Sequence, residues 1–138
     1  MLHILSDIKA KDLMVTNFLT LTEEKTVADA VSLLDKNNRG SVWILNQNGT
    51  LAGLFTERDL IRRVVSKGLD PQKTPLQKVA TMKLVSAHAD DDAIQLLELM
   101  CENNFRHLPV LKAGKLVGTI GLKHFYQFFL DKQQSMGV

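Results

Sequence analysis

The chain has 138 residues, of which 45% are hydrophobic and 23% charged, and its formal net charge is +2. These values are typical of an ordinary soluble globular chain of single-domain size, and the small charge does not favour nucleic acid as a partner. The lone Cys101 excludes an internal disulfide, and no stretch approaches the roughly 18 apolar residues of a membrane span. Asp7 and Lys9 interrupt any signal-peptide layout, so we expect a cytoplasmic protein.

The first half of the chain predicts a helix, a strand, a capped helix, a hairpin and a closing helix. Thr26 and Asp29 have the spacing of a capping box, and Asn37-Asn38 suits the end of that helix. Asn48-Gly49 is a strong signal for a two-residue hairpin turn. The predicted elements are helix 6–14, strand 18–21, a helix from residue 26, strand 41–45, strand 50–55 and helix 57–67.

The second half repeats this order, and fragments of the first half return in it. Asn37–Leu45 returns as Asn103–Leu111, Gly49–Phe55 as Gly114–Ile120, and Ile8–Met14 as Leu76–Met82. The predicted elements are helix 75–81, strand 83–86, helix 91–103, strand 107–111, a turn at 113–114, strand 115–120 and helix 122–131. A repeated unit of this size buries its apolar faces against its twin, and the seam can become a pocket.

The repeats define the expected domain organisation. Residues 7–67 form the first repeat, 68–74 a linker, 75–131 the second repeat, and 132–138 a flexible tail. Each repeat is a β-α-β-β-α unit with a short leading helix. The sequence therefore predicts an α+β fold in which two such units pack about a pseudo-twofold axis.

Thr56 and Asp59 are the main candidate binding residues. Thr56 lies where a strand ends and a helix begins, a place where free N–H groups attract phosphate. Asp59 can accept both hydroxyls of a ribose. The same Thr-x-x-Asp spacing is close to a capping box that only satisfies the helix start, and the two interpretations are compatible. The matching positions of the second repeat are Gly121 and His124, which offer no hydroxyl and no negative charge.

Other polar and aromatic groups give weaker signals. The four histidines lack metal-ligand spacing, and no phosphate loop, nucleophile elbow or glycine fingerprint is present, so we expect no enzyme. Cys101 is expected to be a buried or half-buried thiol. The tight basic cluster Arg58, Arg62 and Arg63 is expected on a solvated helix face. The last helix is crowded with aromatic residues, which suggests an oligomer interface: Phe125, Tyr126, Phe128 and Phe129.

Two fragments carry a family resemblance. Gly53–Asp59 and Phe105–Val110, set in a duplicated frame, closely resemble a tandem pair of cystathionine-β-synthase-type (CBS) domains, also called a Bateman module. The resemblance spans about residues 7–130. It implies a non-catalytic protein that binds AMP, ADP, ATP or S-adenosylmethionine in one or both clefts between its repeats. It also implies flat, disc-like homodimers.

The resemblance also assigns roles to individual residues. It implies that the Thr56 hydroxyl faces phosphate, that Asp59 holds the ribose, and that Arg106 and His107 reach the same site with a cation and a donor. The alternatives are that Arg106 pairs with a surface carboxylate, that His107 is a half-buried strand residue, and that Arg58 is an exposed helix arginine and not a phosphate ligand. The residues implied for the adenine pocket are Thr16, Phe18 and Leu19, with backbone groups of Leu19, Gly40 and Ser41 nearby. The alternative for Phe18 is a place in the core.

The leading hypothesis is a stand-alone regulatory module that senses an adenine nucleotide in one cleft per chain and signals to a target protein by changing conformation. The second cleft, with Gly121 and His124, is expected to bind poorly or stay empty, the alternative being that His124 recognises a different group. The rival hypothesis is a ligand-free dimerisation or scaffold module that acts through a partner protein.

Overall fold

The structure, a computed structural model, describes the backbone of residues 2–135 and the side chains of residues 4–135. Its elements follow the predicted order of helices and strands. They are a 3₁₀ turn Leu2–Leu5, α1 Ala10–Leu13, β1 Thr20–Thr22, α2 Val27–Asn37, β2 Ser41–Leu45, β3 Leu51–Thr56, α3 Glu57–Asp59, a π-helix Leu60–Val65, α4 Leu76–Val79, β4 Ala87–His88, α5 Ala93–Asn103, β5 His107–Lys112, β6 Lys115–Gly121 and α6 Leu122–Ser135.

The chain divides into two compact units. Phe18–Leu84 form one, here called the Asp59 unit, and the described residues up to Asn17 and from Val85 onward form the other, the His124 unit. Each unit has a three-stranded sheet, in the order β1-β2-β3 or β4-β5-β6. In both sheets the outer first strand runs parallel to the central strand, and the last two strands form an antiparallel hairpin. The predicted α+β class is confirmed.

The two compact units are not the two sequence repeats, because the leading helices are exchanged. Helix α1, from the first repeat, buries Ala10 and Leu13 in the core of the His124 unit. Helix α4, from the second repeat, buries Leu76 and Val79 in the core of the Asp59 unit. A helix of four residues cannot form a core of its own, so its stability comes from the sheet on which it packs.

The predicted linker is an integral part of the Asp59 unit. Its backbone carbonyls accept hydrogen bonds from the first turn of α2, with Val27 N to Thr74 O and Ala28 N to Pro71 O both at 2.9 Å. Thr74 is buried, and its hydroxyl donates to Asp70 O at 2.7 Å. The segment is therefore packed against the helix start.

One predicted strand and one repeat match were wrong. Residues 83–86 have irregular backbone, and β4 is instead Ala87–His88, because parallel pairing with β5 aligns Ala87 with Val110. Val85, which suggested the earlier strand, is 41% exposed. In the structure, α1 at Ala10–Leu13 is the counterpart of α4 at Leu76–Val79. The predicted alignment of Ile8–Met14 with Leu76–Met82 was therefore wrong by two residues.

The predicted caps of α2 and one of the two predicted turns are confirmed. The capping box at α2 is confirmed, with Thr26 N to Asp29 Oδ2 at 3.0 Å, and Asn38 ends that helix with φ of 52°. Residues 113 and 114 form the predicted tight turn with positive φ at both positions. The first hairpin has a longer loop than the predicted two-residue turn, because the side-chain oxygen Oδ1 of Asn46 accepts hydrogen bonds from the backbone N–H groups of both Asn48 and Thr50.

The last helix and the cysteine also differ from expectation. Helix α6 continues to Ser135, four residues beyond its predicted end, and the rest of the predicted tail, residues 136–138, lies outside the described residues. Cys101 is exposed, because the face of α5 that enters the core carries Ala93, Leu96 and Met100 instead. Among the described residues, no helix has the length and apolar content needed to cross a bilayer.

Candidate functional site

The corner between β3 and α3 is built around a capping box. Thr56 ends β3 with extended backbone and is the N-cap of α3. Its N–H donates to Asp59 Oδ2 at 3.0 Å, and its hydroxyl accepts from the Asp59 N–H at 3.3 Å and donates to Oδ2 at 3.2 Å. The capping interpretation of this pair is therefore confirmed. The box also holds the carboxylate in one orientation.

Asp59 is buried, with 7% of its surface exposed. Its second oxygen, Oδ1, accepts from the Thr81 hydroxyl at 3.3 Å and lies 3.5 Å from Arg63 Nε in an ion pair. Burial of a carboxylate is costly unless it is hydrogen-bonded and paired, and these contacts meet that requirement. The result is a buried carboxylate that is held in one orientation.

Arg63 and Thr81 are residues of this site that the sequence reasoning missed. Arg63 Nη1 also donates to the carbonyl oxygens of Ala80 at 3.1 Å and Val79 at 3.4 Å, which the end of α4 leaves without helical partners. The spacing of Arg63 four residues after Asp59 was a usable signal. Thr81 is distant in sequence, and no local pattern points to it.

The predicted helix over 57–67 changes character after Asp59. Residues Leu60–Val65 are π-helical, and two bonds that span five residues mark its end, Ser66 N to Ile61 O at 2.9 Å and Leu69 N to Val64 O at 3.0 Å. Short π-helical segments are frequent at functional sites in proteins. Here the segment carries Arg63 toward α4 and buries Val64 in the core.

Several other predicted site residues lie close to this corner. Ser41 pairs with Thr56 across the β2–β3 ladder, and the Gly40 carbonyl accepts from Glu57 N at 3.0 Å. The Leu19 carbonyl accepts from Trp43 N at 2.9 Å, one strand further along the sheet. Three further predicted residues have no specific contact that joins them to Asp59: Phe18 is half-buried before β1, Arg58 is exposed, and Thr16 is exposed in the His124 unit.

The His124 unit has a corner of the same design with different chemistry. Gly121 ends β6 and its N–H donates to His124 Nδ1 at 2.7 Å, which is the bond that Thr56 makes to Asp59 in the other unit. His107 opens β5, is half-buried and pairs with Gly121. Arg106 is exposed, and its carbonyl accepts from Leu122 N at 3.3 Å. An imidazole therefore takes the place of the carboxylate.

The electrostatics of this second corner favour neutral histidines. Burial lowers the pKa of His107, and the nearby positive charges of Lys123 and Arg106 lower it further. Burial also lowers the pKa of His124, with a smaller contribution from Lys123. Neutral His124 is what the cap needs, because Nδ1 must keep a lone pair to accept from Gly121.

Replacing His124 with asparagine should reduce the loss of stability in acid. The unfolded histidine titrates near pH 6.5, and the folded pKa is lower. The contribution of the cap is thus fully present above about pH 6.5, and it is lost as the pH falls from there through the folded pKa. An asparagine oxygen accepts the same bond without titrating. Thermal unfolding at neutral and acidic pH measures the difference.

The matched control for this acid effect is His88→Asn, since His88 is an exposed histidine of the same unit. His88→Asn should lose as much stability at acidic pH as the parent chain does. Equal loss in the parent and in His124→Asn would show that the cap does not contribute to the acid sensitivity.

Among the residues that the structure describes, no group of three or more His, Cys, Asp or Glu side chains is placed to hold a metal ion.

Comparison with known proteins places the chain in a family. A sequence model of the CBS domain matches residues 10–66 and again residues 76–131. The chain belongs to the CBS domain family. The CBS domain-containing protein YhcV of Bacillus subtilis is 33% identical over 112 residues, which cover 81% of this chain and 79% of that protein.

Solved structures of other CBS proteins share the fold. A CBS-domain containing protein from Agrobacterium tumefaciens superposes with a TM-score of 0.78 at 27% identity, covering 88% of this chain and 92% of that one. The CBS domain pair of protein MJ0100, solved in complex with 5′-methylthioadenosine and S-adenosyl-L-methionine, gives a TM-score of 0.79 at 21% identity, covering 90% and 97%. The resemblance to a tandem CBS pair is thereby confirmed.

Proposed function

We propose that this CBS pair is a non-catalytic regulatory module of the cytoplasm that binds an adenosyl ligand at Asp59. The candidate ligands are AMP, ADP, ATP and S-adenosylmethionine, and an adenine nucleotide would make the module an energy sensor. Binding changes its conformation and so acts on a target protein. Support comes from the family and from the MJ0100 pair, a CBS neighbour solved with two adenosyl compounds.

The observation that carries the proposal is the buried Asp59 carboxylate. A carboxylate that a capping box already orients can accept the two hydroxyls of a ribose without first losing conformational freedom. The equivalent group in the His124 unit is a neutral imidazole, which supplies one acceptor and no negative charge. The asymmetry favours one adenosyl site per chain.

The roles of the remaining predicted residues are part of the proposal. Arg106, His107 and Arg58 would contact the phosphates, together with the Thr56 hydroxyl once it changes partner. Adenine would lie against the predicted pocket residues Thr16, Phe18 and Leu19, near the backbone of Gly40 and Ser41.

A thermal-melting screen against AMP, ADP, ATP, NADH and S-adenosylmethionine tests the proposal. A ligand present at 100 times its Kd stabilises the fold by about 2.7 kcal/mol, because it binds the folded chain alone. At least one compound should therefore raise the Tm by several degrees. If none of them shifts the Tm at millimolar concentration, the adenosyl-sensor function is wrong.

A second candidate function is a ligand-free dimerisation or scaffold module. Its support is a row of exposed apolar side chains on α6, in which Leu122 is 39% exposed, Tyr126 70% and Leu130 43%. Their spacing of four residues places them on one face of the helix. Phe125 is instead buried in the core. Sedimentation shows which function holds: a dimer that no compound in the screen stabilises favours the scaffold.

A further inference from the structure

We infer that Thr81 limits the affinity of this chain for a ribose, because its hydroxyl competes with the ligand for Oδ1 of Asp59. The inference rests on the proposed function and assigns a specificity-determining residue to its site. Thr81 lies in the Asp59 unit, where its hydroxyl donates to Oδ1 at 3.3 Å.

Asp59 has a limited number of acceptor positions. A carboxylate offers about four lone-pair positions. Two contacts at Oδ2 come from the N–H and hydroxyl of Thr56, and two at Oδ1 come from Thr81 and Arg63. Three of these positions hold hydrogen bonds and the fourth faces the Arg63 ion pair, so a ribose that uses both of its hydroxyls needs at least one of these groups to give up its place. The contacts at Oδ1, at 3.3 and 3.5 Å, are the longest of the four, so Oδ1 exchanges partners at the least cost.

Thr81 gives up its contact with Oδ1 more readily than Arg63 does. The guanidinium of Arg63 is held in place by the carbonyl oxygens of Val79 and Ala80, so it stays near Oδ1 when a ligand arrives. The Thr81 hydroxyl donates its hydrogen bond to Asp59. Rotation about one side-chain torsion takes this hydroxyl away from Oδ1 without moving the backbone. Thr81 is therefore the group that yields to the ribose.

In the absence of a ligand, the backbone of Thr81 keeps its hydroxyl beside Asp59. The backbone of Thr81 is fixed to β3, since it exchanges two hydrogen bonds with Leu54, each of 2.9 Å. Gly53 permits this close approach, because a Cβ at Gly53 would lie 2.8 Å from the Thr81 carbonyl oxygen and 2.6 Å from Met82 Sδ. The competing hydroxyl is thus held near Oδ1 at high effective concentration.

Calorimetric titration of the full chain with AMP tests the inference through Thr81→Val, which keeps the shape of the side chain and removes its hydroxyl. The variant should bind AMP about three- to tenfold more tightly, the range expected for one lost competing hydrogen bond. Thr81→Ser, which keeps the hydroxyl, should bind as the parent chain does. Titration with 2′,3′-dideoxy-AMP removes the competing ligand hydroxyls, so Thr81→Val should give no gain for that compound.

Each outcome separates this inference from the proposed function. If the parent binds AMP and Thr81→Val binds it equally or more weakly, or gains equally for the dideoxy compound, the inference is overturned and the proposed function stands. Binding by Thr81→Val alone would support the inference. If neither chain binds AMP or any other compound of the melting screen, the proposed function fails and the inference fails with it.

Discussion

Replacing Asp59 with asparagine should weaken the binding of AMP by about 100-fold, which corresponds to about 2.7 kcal/mol. The amide keeps one acceptor oxygen, and the capping bond from Thr56 N can use it. The other position becomes an NH₂ donor, from which the Thr81 hydroxyl can accept but the donor-only Arg63 guanidinium cannot. The ribose then loses a charge-assisted acceptor, while the fold keeps its cap. Isothermal titration measures the effect.

The chain contains a matched control for this change. Thr26 and Asp29 form the same capping box at the start of α2, with nearly the same distances, but Asp29 is exposed to solvent. Asp29→Asn should leave AMP affinity within about twofold of the parent, which is about 0.4 kcal/mol, because Asp29 caps α2 and lies outside the candidate site. Equal affinity in Asp59→Asn and the parent would remove Asp59 from the site.

Replacing Phe55 with alanine should lower the free energy of unfolding by about 3–5 kcal/mol, the range for a fully buried aromatic residue. Phe55 is fully buried and lies in the core of the Asp59 unit with Val27, Ile44 and Leu76. It immediately precedes Thr56, so the cavity would also loosen the support of the capping box. Urea unfolding followed by circular dichroism measures the loss.

The control for the core substitution is Tyr126→Ala, which removes an aromatic ring that is 70% exposed. Its effect on the stability of the isolated chain should stay within about 0.5 kcal/mol. A loss below about 1 kcal/mol for Phe55→Ala would mean that this core collapses around the missing ring, contrary to the close packing of protein interiors.

Local features of the fold were predictable from the sequence because their causes are local. The Thr26-Asp29 box, the αL residue Asn38 and the turn at 113–114 depend on residues that are neighbours in the chain. The exchange of leading helices was not predictable. A short helix such as α1 carries two buried residues, and its pattern does not distinguish the sheet of its own repeat from the sheet of the other.

The residues of the candidate site also divide into those with local contacts, which were predictable, and those with tertiary contacts, which were not. The pairing of Thr56 with Asp59 follows from a spacing of three residues, and the sequence identified both residues. The four-residue spacing between Asp59 and Arg63 is typical of an ion pair on a helix, but Arg63 resembled a surface arginine because it follows Arg62. Thr81 reaches Asp59 only because β3 and the segment after α4 pair in space, which is a tertiary contact.

The structure of this chain crystallised with AMP tests the central claim most directly. We expect both ribose hydroxyls at hydrogen-bond distance, about 2.6–3.2 Å, from the Asp59 carboxylate, with the Thr81 hydroxyl turned away from Oδ1. AMP bound at another place, with all four partners of Asp59 unchanged, would contradict it.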